Sequence, residues 1–279
     1  MIGTNPRWEA ALVNARLRKR YLAGGFRILS IGQQLDLTFP IKDLGAGPDT
    51  LTAIANGTHE AAQILANAEQ PMIIIGQGAL ARDDGAAVLG TARQVAENCN
   101  VVKDGWNGFN VLHTAAARVA GLDLDLVPGE GGRDVAGIID GAAKREIDAV
   151  FLLGADEINV SGLGGAFVIY IGHHGDAGAG RADVVLPGAA YVEKNATWVN
   201  TEGRVQLGQR AVFPAGDARE DSASIRALSD VMGCTLPYDN LASVRERMAE
   251  VAETFNEIDT VGPALWSEFG SDASPNKEP

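Results

Sequence analysis

Residues 72–81, Met72-Ile73-Ile74-Ile75-Gly76-Gln77-Gly78-Ala79-Leu80-Ala81, indicate the architecture of the whole chain. The four apolar residues, rich in β-branched side chains, predict a short buried strand. Glycines follow at once, and a helical pattern begins at Asp83, an acidic residue suited to the first turn of a helix. A buried strand, a glycine turn and a helix in direct succession are typical of the βαβ unit of a parallel sheet.

The same alternation continues along the chain. Predicted strands lie at Phe26–Ile31, Met72–Ile75, Asn100–Lys103, Asp148–Leu153, Phe167–Ile171 and Val184–Leu186. Predicted helices lie at Pro6–Tyr21, Thr50–Ala68, Asp83–Glu97, Phe109–Ala120 and Arg133–Ala143, and then, after Pro214, at Ala218–Met232 and Leu241–Phe255. We therefore expect an α/β domain with a doubly wound, mostly parallel sheet in residues 1–215. A helical C-terminal extension (216–269) and a disordered polar tail (270–279) would follow it.

Composition excludes several classes of function. With 46% hydrophobic and 21% charged residues, the 279-residue chain has the composition of a soluble globular protein. Its apolar runs fall far short of the roughly 20 residues that a membrane helix needs, so no membrane insertion is expected. A formal charge of −13 disfavours nucleic acid as a partner. Bases predominate in residues 1–27 and acids from Asp217 onward, which indicates either two faces of an assembly or solvated helices.

The cysteine and histidine patterns disfavour a metal centre. Cys99 and Cys234 are far apart and no CxxC occurs, whereas an iron–sulfur cluster usually needs four thiolates. His173 and His174 are adjacent, and in an extended segment they should point to opposite sides, away from a shared metal. We expect no metal site, and hydrogen-bonding roles for both histidines.

Three loops are candidate ligand sites. Gly76 and Gly78 form a G-x-G-x-x-A arrangement between a strand and a helix, the context of a dinucleotide loop, but Asp83 and Asp84 would repel a phosphate. A plain tight turn is therefore favoured there. Gly3, Thr4 and Asn5 follow another strand end, where open parallel sheets bind ligands. Glu202-Gly203-Arg204 predicts a tight turn whose charged side chains either pair or grip a polar ligand.

Several segments resemble one known family, in the right order over roughly residues 1–240. They are Ile2–Arg7, Asp83–Ala87, Asn110–His113, Phe151–Asp156, Gly172–Asp176, Leu186–Gln206, Ala218–Asp221 and Thr235–Asp239. The sequence is similar to the molybdopterin oxidoreductase superfamily, and most similar to its branch formed by the large iron–sulfur subunit (the 75 kDa subunit) of respiratory NADH–quinone oxidoreductase, complex I.

The resemblance implies a fold like the third domain of molybdopterin oxidoreductases and, in this branch, loss of the molybdenum cofactor. No catalytic residue and no cofactor are then expected in this chain. The candidates for a vestigial pocket are Gly3, Thr4, Asn5, His173, His174, Glu202 and Arg204. Iron–sulfur clusters are expected only in the N-terminal region of the parent subunit. In the family further apolar residues precede the segment equivalent to Met1–Thr4, so we expect a fragment or an internal start, with Ile2 and Gly3 ending a central strand.

The resemblance also implies a place in an assembly. The expected role is a scaffold that docks onto the cluster-bearing N-terminal domain and other peripheral-arm subunits. The expected location is peripheral, on the cytoplasmic face of a bacterial inner membrane or the mitochondrial matrix side. Two alternatives stay open at this point. One is part of a molybdopterin-dependent oxidoreductase such as a formate dehydrogenase relative, and the other is a free nucleotide-binding α/β protein.

Overall fold

The structure, a computed structural model, describes residues 1–262, 264 and 266. These residues form two compact units, the first comprising Met1–Ala115 with the described residues from Gly262 onward, and the second comprising Ala116–Val261. The first boundary between the units, after Ala115, lies inside the range predicted for the α/β domain (1–215). The second, after Val261, lies inside the range predicted for the C-terminal extension (216–269). The predicted domain boundaries therefore stay a prediction.

The first unit alternates short strands and helices. Its helices are α1 (Pro6–Glu9), α2 (Ala11–Leu22), α3 (Pro48–Ala55), α4 (Glu60–Ala66), α5 (Gln77–Leu80) and α6 (Gly85–Asn98). Its strands are β1 (Leu29–Ser30), β2 (Lys42–Asp43), β3 (Ile73–Gly76), β4 (Val102–Lys103), β5 (Trp106–Asn107) and β6 (Phe109–Leu112). The pairs β1–β2 and β3–β6 are parallel, and β4–β5 is an antiparallel hairpin.

Ile2 joins the two parallel pairs into one sheet. It forms parallel bridges to Ile31, which follows β1, and to Ile75 in β3. The spatial order is therefore β2, β1, Ile2, β3, β6, and the direction of winding reverses between Ile2 and β3. This is the order of the first five strands of a doubly wound dinucleotide-binding fold, whose ligand crevice lies at that reversal. The expected α/β class with parallel pairing is confirmed, and the expected central position of Ile2 is confirmed with it.

The core of the first unit lies between this sheet and helices α3, α4 and α6. Ile75, Ala92, Ala96 and Val101 are fully buried within it. Helix α6 buries one face along its length, as its spacing of apolar residues requires. Because Ile2 and Ile75 both belong to this buried cluster, its packing keeps their neighbouring strand positions together.

The second unit contains a three-stranded parallel sheet and a hairpin. Its helices are α7 (Arg118–Asp123), α8 (Val135–Ala143), α9 (Ala177–Arg181), α10 (Asp221–Val231) and α11 (Leu241–Val251), with 3₁₀ turns at Val160–Leu163 and Glu253–Asn256. Its strands are β7 (Ala149–Leu153), β8 (Phe167–Gly172), β9 (Val184–Pro187), β10 (Ala196–Val199) and β11 (Val205–Gly208). Strands β7, β8 and β9 are adjacent in chain order, and β10 pairs antiparallel with β11.

Two predicted elements were wrong. The segment predicted as a helix at Phe109–Ala120 begins with strand β6, and helix α7 starts only at Arg118. The aromatic and β-branched residues of β6 suit a pleated strand, and its pairing with β3 outweighs the local helical pattern. The strand predicted at Asn100–Lys103 supplies only β4, which belongs to a hairpin that turns at Gly105 (φ +72°).

Other predicted elements are present with shorter bounds. The helix predicted at Thr50–Ala68 divides into α3 and α4 at Gly57, whose φ of +74° ends the first helix. The helix predicted at Pro6–Tyr21 is interrupted at Ala10, where φ is −154°. Helices α10 and α11 confirm the helical character expected after Pro214. The predicted tail, 270–279, lies outside the described residues. None of the described helices is both long and apolar enough to cross a membrane.

Ile75→Ala tests this core. The Ile75 side chain is fully buried at the centre of the first sheet, so its truncation should lower the free energy of unfolding by about 2–5 kcal/mol. Leu12→Ala, on the exposed face of α2 in the same unit, should change it by about 0.5 kcal/mol or less. Urea denaturation measures both, and equal losses would contradict the position of Ile75.

Candidate functional site at the strand ends

Three neighbouring strand positions in the first unit end in the same dipeptide. Ile2-Gly3, Ile31-Gly32 and Ile75-Gly76 lie side by side, because Ile2 bridges both of the other isoleucines. In each case the isoleucine belongs to the sheet, and the glycine follows it at the carboxyl edge; Gly76 is itself the last residue of β3. Open parallel sheets bind ligands at this edge, so this is the candidate site that the fold itself indicates.

Steric crowding explains the glycines. A Cβ at Gly76 would lie 2.2 Å from the Gly3 carbonyl oxygen and 2.8 Å from the Thr4 Cβ. A Cβ at Gly3 would lie 2.7 Å from the Ala79 Cβ, and Gly3 also has a φ of +53°. The close approach that these glycines permit is therefore between two segments of the same chain.

The Glu9 carboxylate accepts two hydrogen bonds from the loop that follows Ile2, here called the first loop. The buried Thr4 hydroxyl donates to one oxygen of the Glu9 carboxylate at 3.0 Å, and the Asn5 N–H donates to the other at 2.6 Å. Asn5 also caps α1, because its side-chain oxygen accepts from the Arg7 N–H. Loop and helix thus form a self-contained network of hydrogen bonds around a carboxylate.

The loop after β3 has a different character. Gly78 has no atom within 4 Å of the place where a Cβ would stand, so its side-chain position is open. The Gln77 side-chain nitrogen lies 3.0 Å from Nδ1 of His113, which follows β6. Near the start of α6, Asp84 is held by two hydrogen bonds from the Arg82 guanidinium, at 2.6 and 3.0 Å. Hydrogen bonding to Arg82 lowers the pKa of the Asp84 carboxyl, so it remains an anion near the loop.

His173 and His174 follow β8 at the carboxyl edge of the second unit's sheet. Their rings lie 4.4 Å apart between centroids, inclined at 55°. The expectation that the two rings point to opposite sides was therefore wrong, because the chain turns immediately after Gly172 instead of remaining extended. Both side chains are exposed, and the described residues contain no group of three or more His, Cys, Asp or Glu side chains placed to hold a metal.

Beneath these histidines, Tyr170 lies in the buried face of the sheet. Burial raises the pKa of the Tyr170 phenol, and the charges of Asp156 and Asp176 act in the same direction. The Asp156 carboxylate accepts a hydrogen bond from the Gly178 N–H at 3.0 Å, which fixes the loop before α9. The Asp156 carboxylate therefore serves the local backbone.

Glu202, Gly203 and Arg204 form the turn of the β10–β11 hairpin. Gly203 has a φ of +83°, and the Arg204 Nε donates to Glu202 at 2.8 Å. The Asn200 side-chain oxygen accepts from the N–H groups of Glu202 and Arg204, each at 3.0 Å. Arg204 also donates to the backbone carbonyl of Asp259. The predicted turn and ion pair are present, and the arginine is directed at the protein's own backbone.

Comparison with known proteins identifies the family. The profile of the molybdopterin oxidoreductase family matches residues 1–231. The chain belongs to the molybdopterin oxidoreductase family. This agrees with the doubly wound strand order of the first unit.

Curated relatives come from respiratory enzymes. The chain is 44% identical over 268 residues to the mitochondrial NADH dehydrogenase (ubiquinone) iron–sulfur protein 1 of Solanum tuberosum, covering 96% of this chain and 35% of that protein. It is 41% identical over 261 residues to the NADH-ubiquinone oxidoreductase 75 kDa subunit of Reclinomonas americana, covering 94% of this chain and 37% of that protein. The chain therefore spans well under half the length of these relatives.

A solved structure supports the fold alone. A chain of the formyltransferase/hydrolase complex of Methylorubrum extorquens superposes with a TM-score of 0.54 at 19% identity, covering 89% of this chain and 74% of that chain. At this level of identity the likeness concerns the arrangement of strands and helices.

The family name implies a molybdopterin cofactor, and the residues at the strand ends do not fit one. A phosphate-bearing group at this edge needs free N–H and O–H donors. The Thr4 hydroxyl and the Asn5 N–H already donate to Glu9, and the Asp84 carboxylate lies at the start of α6. A further anion placed against the Glu9 carboxylate would meet like charge.

Several residues at this edge are not indicated as site residues by the sequence pattern. Glu9 lies four residues after the N-cap Asn5, one position beyond the spacing of a capping box, yet its carboxylate accepts from the Asn5 N–H. Gly32 was not noticed, although the repeated Ile-Gly after predicted strands is visible in the sequence. His113 was placed inside a predicted helix, which concealed its position at a strand end.

Gly76→Ala and Gly78→Ala form a matched pair for this site. The first should lower the free energy of unfolding by about 1–3 kcal/mol or more, because its methyl group overlaps the Gly3 carbonyl. The second should raise it by about 0.4–1 kcal/mol, because its position is open and the unfolded chain loses freedom. Urea denaturation of the 279-residue protein measures both. Equal effects would show that the Gly3–Gly76 approach is absent.

Proposed function

We propose that this chain is a cofactor-free structural region of the iron–sulfur subunit of a respiratory NADH–quinone oxidoreductase, complex I. The observation that carries the proposal is the Glu9 network, which fills the ligand edge of a cofactor-binding fold with the protein's own carboxylate. Its support is the 41–44% identity to subunits of that enzyme over nearly the whole chain. In this role the chain binds and positions other polypeptides and carries out no chemical step.

The proposed assembly passes electrons from NADH to quinone through iron–sulfur clusters held elsewhere. Partners in it are the cluster-bearing N-terminal domain of the subunit and other peripheral-arm subunits. The proposed location is peripheral, on the cytoplasmic face of a bacterial inner membrane or the mitochondrial matrix side. The proposal includes neither nucleic acid binding nor membrane insertion by this chain.

Co-migration tests the proposal directly. Membranes of the source organism are solubilised mildly, separated on a native gel, stained for NADH dehydrogenase activity and probed with an antibody to residues 1–279. The antibody signal should coincide with the high-molecular-weight activity band. A signal confined to other fractions would overturn the proposal. Molybdenum and pterin in stoichiometric amount in the antibody-positive fraction would instead favour the molybdopterin-enzyme alternative.

Arg204→Ala should act on stability and leave turnover unchanged. It removes the donor to the Asp259 carbonyl together with the partner of Glu202, which should cost about 1–3 kcal/mol. Glu202→Ala should cost less, about 0–1 kcal/mol, because that carboxylate is more than half exposed. In cells the amount of assembled complex should fall for Arg204→Ala, with normal NADH–quinone turnover per assembled complex.

Arg247→Ala is the matched control for this prediction. Arg247 lies on α11 in the same unit and pairs with Glu250 on an exposed surface, so its removal should change stability by about 0.5 kcal/mol or less. Normal abundance of the Arg204→Ala complex with lost turnover would contradict a structural role for the turn.

The purified 279-residue protein should contain no iron–sulfur cluster. It has two cysteines, Cys99 buried in the first unit and Cys234 exposed in the second, against the four thiolates that a cluster usually takes. Burial also raises the pKa of the Cys99 thiol, which disfavours the thiolate that binds iron. Assays of iron and acid-labile sulfide measure the cluster content of the protein, and stoichiometric amounts of both would contradict the prediction.

A further inference from the structure

Strands β7 and β8 of the second unit's parallel sheet are covered on one face. Val150 and Leu152 of β7, with Val168 and Tyr170 of β8, are buried there in one cluster. Residues of α8, of the 3₁₀ turn after β7 and of the segment around α9 pack against that cluster. Every element that connects the strands in chain order therefore contributes to the same side.

The opposite face is apolar and exposed. Its large side chains and their exposed fractions are Phe151 (48%), Leu153 (47%), Phe167 (50%), Val184 (38%) and Leu186 (40%). The strand register places them in rows, because Phe151 lies opposite Ile169 and Ile169 opposite Val184. Leu153, Ile171 and Leu186 form the next row in the same way. The face is thus apolar, without a charged side chain in these rows. It is exposed along β7 and β9, whereas Ile171 in β8 between them is buried at 3%.

The strand order of this sheet explains why the face is exposed. Crossovers between parallel strands are almost always right-handed, so strands added in one direction place all their connections on one face. The second face is covered only where the order of strands reverses, as it does between Ile2 and β3 in the first unit. Strands β7, β8 and β9 follow one another without reversal.

The edge strand β7 agrees with this account. Within the described residues β7 pairs with β8 alone, so its other edge presents unpaired backbone groups. Parallel sheets occur almost only with both faces covered, and exposed apolar patches of this kind mark contact surfaces. The sheet of the second unit has the geometry of one half of a doubly wound sheet.

We propose that the exposed face of β7–β9 is the docking surface for a helical segment of the same complex I subunit, from the part of it that lies outside residues 1–279. This rests on the proposed function. The relatives supply the argument for the occupant, since this chain covers only 35–37% of their length. The chemistry of the surface is the second argument. An uncharged sheet face of aliphatic and aromatic side chains fits the apolar side of a helix. Such a helix would connect to a further strand paired with the free edge of β7.

Photocrosslinking in the source organism tests the occupant. p-Benzoylphenylalanine replaces Phe151 in the middle of β7, and in a matched strain it replaces Val231, which is 87% exposed on α10 of the same unit. After irradiation of cells the chain is purified and its crosslinked peptides are sequenced by mass spectrometry. Position 151 should crosslink to a subunit segment outside residues 1–279, and position 231 should not crosslink to that segment.

Three results would overturn the inference. They are a crosslink from position 151 to a second copy of residues 1–279, a crosslink to a different subunit, and free labelling of position 151 by solvent reagents in the assembled protein. A substitution gives an independent readout. Phe151→Glu should lower the amount of assembled complex about tenfold, because it places an unpaired charge in an apolar contact, whereas Val231→Glu should leave the amount unchanged.

Thermal unfolding of the purified 279-residue variants separates docking from folding. Position 151 is half exposed in this chain, so Phe151→Glu should keep a cooperative transition at nearly the same temperature. If the variant unfolds, the crosslinking result alone decides whether the docking inference holds.

Failure of the inference and failure of the proposed function give different results. A chain that co-migrates with complex I but crosslinks elsewhere contradicts only the docking inference. A chain absent from complex I contradicts the proposed function.

Discussion

The segment Met1–Gly3, centred on Ile2, hydrogen-bonds to strands on both sides, and the first unit depends on it. On one side its N–H donates to Ile74 at 2.8 Å and its carbonyl accepts from Gly76 at 2.9 Å. On the other side the peptide groups of Met1 and Gly3 pair with Ile31 at 3.0 and 2.9 Å. Without this link β1–β2 and β3–β6 would be separate two-stranded ribbons, which are marginal in water. The Ile2 side chain is buried in the same cluster, so hydrogen bonding and packing act together.

The close packing around Ile2 determines what the strand ends can hold. Gly3 and Gly76 approach within van der Waals contact at the edge where a parallel sheet of this order receives a ligand. Glu9 then satisfies the remaining donors with a carboxylate, and the buried Thr4 needs no external partner. These internal hydrogen bonds are consistent with the scaffold role proposed for the chain.

In the second unit, the hairpin and the sheet have different roles. The hairpin packs Val199 and Val205 against Phe255 and Ala120, and Arg204 ties the segment at Asp259 to its turn. The hairpin therefore organises the C-terminal helices. Within the described residues, strands β7 and β8 bury one face in a packed cluster, whereas Phe151, Leu153 and Phe167 on the other face are about half exposed. The difference arises because an antiparallel hairpin can be completed locally, whereas a parallel sheet needs distant segments on both sides.

Short-range periodicity, glycine placement and residue identity were enough to predict the α/β class, the strands at 72–75, 148–153 and 167–171, the turn at Gly203 and the family. They did not predict that Phe109–Leu112 is a strand, that His173 and His174 lie ring to ring, or that Glu9 accepts hydrogen bonds from Thr4 and Asn5. These features depend on contacts between distant segments. Pairing with β3, the path of the chain after Gly172 and the approach of Gly3 to Gly76 bring together residues whose contacts local sequence does not encode.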